Sequence, residues 1–129
     1  QNYLYLAHSK LRECSIGPEI FVDELPEEVL GRVSILRQGN TLWSHEFSSG
    51  ERHMCHSPAN LEFHHFKYAQ FTVPGQVHVH FFGAAILSFA DQVQLADGDE
   101  MRIECDILSR PLSNILKHAT TKKVAVERL

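Results

Sequence analysis

His78-Val79-His80 is the pair of side chains in this chain whose type and spacing point most directly to chemistry. On an extended strand, residues i and i+2 share a face, so two imidazoles at this spacing stand about 6.6–7 Å apart along the backbone. Such a pair can bind zinc, copper or iron. The residues that follow, Phe81-Phe82-Gly83-Ala84-Ala85-Ile86, bring no carboxylate to complete a ligand set. The competing reading is a packed pair on a polar sheet edge, bonded to backbone. His64-His65 with Lys67 falls on a predicted helix, where adjacent residues do not share a face. The two are therefore read as one surface and one packing histidine. Glu100, Glu104 and Asp106 share the polar face of one predicted strand. Paired carboxylates can hold magnesium, but a solvated strand face is the preferred reading. Cys14 lies near Lys10 and Arg12 without a base partner, so it is not read as a nucleophile. There is no phosphate-cradling glycine loop and no G-x-S-x-G.

These residues need elements to position them. Pro74-Gly75 reads as a turn. After it, Val77, Val79 and Phe81 alternate with His78, His80 and Phe82, the period of a strand over 76–82. The pattern stops at Gly83, and the small Ala84 and Ala85 follow, where a ligand or another backbone could approach closely. A Gly98-Asp99 turn opens a second strand, 100–108, in which Met101, Ile103, Cys105 and Ile107 alternate with charged residues. Upstream, 31–37 and 41–48 read as a hairpin about Gly39-Asn40, with Trp43 and Phe47 on one face. Ser57-Pro58 starts a helix expected to reach about residue 70, with Leu61, His65 and Tyr68 on one side. Shorter strand candidates lie at 19–22, 92–95 and around Val124 and Val126, and 110–116 closes the compact part. The pattern implies an α+β, β-rich domain with one helix.

The chain has 129 residues, enough for one core and not two. A net charge of −4 with no basic cluster argues against a nucleic-acid partner. No apolar run approaches a membrane span. Three cysteines, an odd number with no C-x-x-C pair, fit reduced thiols and a cytoplasmic protein better than a disulfide framework. The chain opens at Gln1, without an initiator methionine, inside the run QNYLYLAHSK. It reads as following a removed leader or as a piece of something longer.

Six blocks in order, QNYLYLAHSK, GPE, HSPANLEFHHFKY, PGQVHVHFFG, LSFAD and RPLSN, resemble the C-terminal part of the fumarylacetoacetate hydrolase superfamily. They look closest to its sugar-catabolism branch called GguC-type. The resemblance covers nearly the whole chain. It implies a mixed β-sandwich roll, usually dimeric. It also implies Mg²⁺ or a similar ion that holds a 2-oxo or 1,3-dicarbonyl acid and stabilises a developing enolate. Lys10 matches the family lysine, which would place a cation beside metal or substrate. Gly83 matches the substrate-approaching glycine, and Ala84 stands where a threonine is expected. Gln76 replaces the aspartate of a Pro-Gly-Asp turn, and Ser109 the glycine of a Gly-Arg-Pro-Leu run.

The family's metal carboxylates fall ahead of Lys10, upstream of Gln1. The expectation is therefore a truncated fumarylacetoacetate-hydrolase-like domain over 1–129, without metal-dependent catalysis of its own. It is expected to be oligomeric and to bind a small anionic 2-oxo acid. On this reading the chain carries no stoichiometric Mg²⁺, Mn²⁺ or Ca²⁺. It forms a homodimer or higher closed oligomer through apolar surface around Val33–Ile35 or Val77–Phe82. The alternative is one part of an active Mg²⁺-dependent hydrolase or lyase. A further alternative is a small β-barrel that binds a transition metal at His78 and His80.

Overall fold

A computed structural model describes residues 13–81, 86–120 and 124–127. Its described residues form an α+β, β-rich domain built on one antiparallel sheet of four strands in the order β2-β1-β3-β4. The strands are β1 (Val29–Arg37), β2 (Asn40–Ser49), β3 (Glu100–Cys105) and β4 (Leu112–Ile115), with a helix α1 (Pro58–Phe66).

The hairpin forms as the alternation predicts, with its turn one residue earlier. Gln38 and Gly39 both have positive φ, 53° and 80°, as the twist-matched two-residue hairpin turn requires. The ladder slips between Ile35 and Leu36, because Ile35 faces Trp43 while Leu36 faces Thr41, leaving Leu42 as a bulge. Strand β3 pairs with the other edge of β1, setting Gly31 opposite Cys105, Val33 opposite Ile103 and Ile35 opposite Met101.

Cross-strand partners share a face, so the register sorts the sheet into two sides. One side carries Val29, Val33, Ile35, Trp43, Phe47, Met101, Ile103 and Cys105 around Gly31. The other carries Arg32, Ser34, Ser44, Glu46, Arg102 and Glu104. There Arg32 pairs with Glu46 at 2.8 Å and the Ser34 and Ser44 hydroxyls meet at 3.0 Å. The first side is mainly apolar, though it also carries His45 and Ser49, and the second is mainly polar, though it also carries Leu30, Leu36 and the buried Ser34. Among the described residues the buried apolar ones are Val29, Ile35 and Trp43, all on the first side.

Three polar devices hold the connections. Asp99, 1 % exposed, receives Arg37 Nε at 2.8 Å, Arg37 Nη2 at 2.9 Å and the Ala96 amide at 2.8 Å. Asp106 accepts the Leu30 amide and donates its own amide to the Leu30 carbonyl, closing the end of the β1–β3 ladder. Glu19 Oε2 accepts the Ser109 amide, the Ser109 hydroxyl and the Arg110 amide at 2.8–3.0 Å, pinning the segment before β1 to the β3–β4 loop. Those bonds, the hydroxyl first, hold the Glu19 carboxyl below its ordinary range. The turn at Pro74-Gly75 forms as expected, and the one expected at Gly98-Asp99 forms one residue earlier, at Asp97-Gly98, with φ of 87° at Gly75 and 89° at Gly98.

Several expected elements differ. The helix stops at Phe66 and a separate 3₁₀ turn covers Ala69–Phe71, because the backbone turns extended at Tyr68, with φ of −99° and ψ of 123°. Strand β3 ends at Cys105 rather than 108, where Asp106 turns its amide back to Leu30. Segments 19–22 and 92–95 are not strands, nor are Val124 and Val126. Residues 76–81 are not a strand either. Alternation says which side chains share a face, but a strand also needs a neighbouring backbone to complete its ladder, and no described strand pairs with 76–81. Strand β4 (Leu112–Ile115) was expected only as a closing segment.

Ser57 caps α1, its Oγ accepting the Asn60 amide at 3.3 Å, with Pro58 at the first helical position. Ser57→Ala should weaken this short helix by about 1 kcal/mol. The measurement is amide exchange, faster at Asn60 and Leu61 with the sheet amides unchanged.

Candidate functional site

The apolar face of the sheet supplies the floor of a cleft of about 420 Å³. Val33 of β1, Phe47 of β2, and Ile103 and Cys105 of β3 line its floor, and His80, Phe81 and Ile86 line its wall. Leu25 and Val29 close one end. Strand geometry explains the floor, since every second residue of three adjacent strands projects to this side. Gly31 leaves the opening the strands need, because the Phe47 ring lies across it. The wall is less enclosed, and Phe81 is 68 % exposed.

His80 belongs to a second feature as well. His65 Nε2 and His78 Nδ1 face each other at 2.9 Å across the helix and the segment after the Pro74-Gly75 turn. The His80 ring stands edge-on to His65 with centroids 4.9 Å apart. His65 stacks on Phe71 at 4.5 Å, only 13° from parallel, and Phe66 packs edge-on against both His65 and His78. Burial first, and then the neighbouring His78 and His80, push the His65 imidazole below its ordinary pKa.

The structure thus corrects the reading of the histidines. His78 and His80 are not a strand pair acting alone. They meet a third imidazole, His65, which the sequence marks only as a packing residue of α1. Helical periodicity did place His65 and Leu61 on one side, but nothing in the spacing of 65, 78 and 80 shows that a turn folds the later pair back. Ile35, expected at an association surface, is fully buried within the sheet, whereas Val77 and Val79 are exposed as that expectation requires. Lys10, Gly83 and Ala84, the residues the resemblance assigns to catalysis and substrate approach, lie outside the described residues.

The β3 carboxylates do not fit Mg²⁺. Glu104 Oε1 is bound to Arg102 Nη2 at 3.1 Å, and Asp106 Oδ1 is taken by the Leu30 amide. Arg102, whose Nε is buried without a partner, stands between Glu100 and Glu104 along the strand, so a dication there would meet a guanidinium. Among the described residues no group of three or more His, Cys, Asp or Glu is arranged to hold an ion. No described helix is long and apolar enough to cross a membrane. All three cysteines are free thiols.

Comparison with protein-family models, with curated proteins and with solved structures returned no match to this chain.

Proposed function

We propose that this chain is a fumarylacetoacetate-hydrolase-like fold that binds a small anionic 2-oxo acid without turning it over by itself and works as a homo-oligomer. The observation that carries the reading is the cleft of about 420 Å³ between the sheet's apolar face and the His80–Phe81 wall. Its volume lies in the range of small-molecule sites. In the sequence, Gly83 and Ala84, where the resemblance puts the approach to substrate, fall between the lining residues Phe81 and Ile86. In such a site the apolar floor takes the carbon chain and excludes water, and a cation matched by Lys10 balances the carboxylate. Association is favoured by the apolar side chains left at the surface, Val77, Val79, Phe81, Leu87 and Phe89 among them. A contact between copies would cover such side chains, which otherwise favour association when they form one patch, and a two-fold arrangement closes the assembly.

The test is calorimetric titration with pyruvate, with and without Mg²⁺, alongside a product assay. The expected result is saturable binding that is indifferent to Mg²⁺, with no product. No binding sinks the proposal. Turnover that depends on Mg²⁺ replaces it with the hydrolase or lyase reading. Light scattering over a dilution series is expected to give the mass of a dimer or a higher closed oligomer. A monomer at every concentration overturns the association.

A further inference from the structure

We propose that His65, His78 and His80 form a binding site for one borderline-soft transition-metal ion of the zinc class, which locks the segment after the Pro74-Gly75 turn onto helix α1. The inference stands on the imidazole geometry alone and is independent of the 2-oxo-acid reading.

Two ring nitrogens 2.9 Å apart share a single proton. A direct nitrogen–nitrogen hydrogen bond needs one donor and one lone pair, so at least one imidazole is unprotonated there. Zinc bonded to two imidazoles at 2.0–2.1 Å holds their nitrogens roughly 3.3 Å apart when tetrahedral. Replacing the shared proton by an ion therefore asks the two nitrogens to open by about 0.4 Å and both rings to tilt, because a tetrahedral ion lies off the line between them. The side chains are also held by packing. His65 is stacked on Phe71, and Phe66 closes the edge of both rings. That fixes the two nitrogens before an ion arrives, which is the contribution a protein makes to a metal site.

The third ligand is His80. Its ring centroid is 4.9 Å from that of His65, and the residue is exposed, so it can rotate toward the pair without disturbing the fold. Because no three ligating groups converge among the described residues, this rotation is part of binding. The ligand set is all imidazole, which suits zinc, copper and nickel and not magnesium or calcium. With three protein ligands, a fourth position remains for water or an anion.

The site also has a mechanical role. Among the described residues, the His65–His78 bond is the one side-chain hydrogen bond made by residues 76–81. An ion bridging these residues would convert a single hydrogen bond between α1 and this segment into a covalent-strength clamp.

The experiment is titration of the chelator-stripped full chain with ZnCl₂, followed by calorimetry and by thermal unfolding. One ion per chain and a raised unfolding midpoint are expected. Loss of an imidazole ligand should cost more than the roughly 10–100-fold lost when an outer-shell partner is removed. His78→Ala and His65→Phe, the latter keeping the ring stack, should therefore each weaken binding by at least about 100-fold. His80→Ala, at an exposed position, should weaken it by at least about 10-fold. His64→Ala, one residue from His65 on the same helix, should leave binding unchanged. Absence of stoichiometric binding overturns the proposal. So does binding that survives both His80→Ala and His78→Ala, or binding lost in His64→Ala. Co²⁺ substitution gives a second readout, the visible bands of a low-coordinate ion, expected for the natural sequence and absent in His78→Ala.

Discussion

Asp99→Ala is expected to lower the thermal unfolding midpoint by roughly 5–10 °C. The Asp99 carboxylate is buried between the turn at Asp97-Gly98 and the end of β1, and it receives a two-pronged Arg37 and the Ala96 amide. Removing it leaves the Arg37 charge half-buried without its partner, opens the Ala96 amide and loosens the turn that aims β3 at β1. The same site gives a pH dependence. The Arg37 guanidinium first, and then the Ala96 amide, pull the Asp99 carboxyl from an ordinary 3.8 down to about 2. The folded state therefore binds this proton less readily than the unfolded chain. Its stabilising contribution is complete above about pH 3.8 and is lost as pH falls through about 2. Acid unfolding of the natural sequence should steepen in that window, and Asp99→Asn should flatten it. Glu19 and Asp97 are held low in the same direction, so the flattening is partial. An acid-unfolding profile that Asp99→Asn leaves unaltered would show that the pair does not control the turn.

Gly31→Ala is expected to destabilise the domain by about 3 kcal/mol, the upper end of what overpacking a well-filled site costs. The glycine lies in the middle of β1, opposite Phe47 on one side and Cys105 on the other. A Cβ built there would stand 2.3 Å from Phe47 Cζ and 2.7 Å from the Glu104 carbonyl oxygen. The ring can swing aside, but the carbonyl is fixed by the β1–β3 ladder, so part of the clash cannot relax. Combining Gly31→Ala with Phe47→Ala separates the two contributions. The double variant should be more stable than the sum of the single losses predicts, by about 1 kcal/mol, with the remainder set by the carbonyl. Denaturant unfolding measures all three variants. Wild-type stability in Gly31→Ala would mean that the Phe47 ring does not lie over the strand and does not form the cleft floor.

Local signals set much of the fold. Alternation over 31–37, 41–48 and 100–105 fixes which side chains share a face, because the period of a strand is two and nothing distant is needed to read it. Ser57-Pro58 fixes a helix start and Pro74-Gly75 and Gly98 fix turns, since a cap oxygen, a preset φ and a positive φ are properties of the residues themselves. These signals are enough to determine an amphipathic β-rich domain with one helix. The pairing of strands was decided elsewhere. Nothing in the local pattern tells β1 to take β3, about seventy residues later, as its second neighbour, or 76–81 to go without one, although 76–82 alternates as cleanly as 100–105. Arg37 reaching Asp99 and Glu19 reaching Ser109 are long-range polar closures that accompany this pairing, and neither has a local signature. For the same reason the imidazole cluster was only half legible. The sequence by itself determined that His78 and His80 go together. Only the tertiary structure brought His65 to them, because the Pro74-Gly75 turn and the packing of Phe66 and Phe71 fold the helix against the segment that follows. Which residues share a face depends on local periodicity, whereas which faces meet depends on the burial of apolar surface and the satisfaction of buried polar groups across the whole chain.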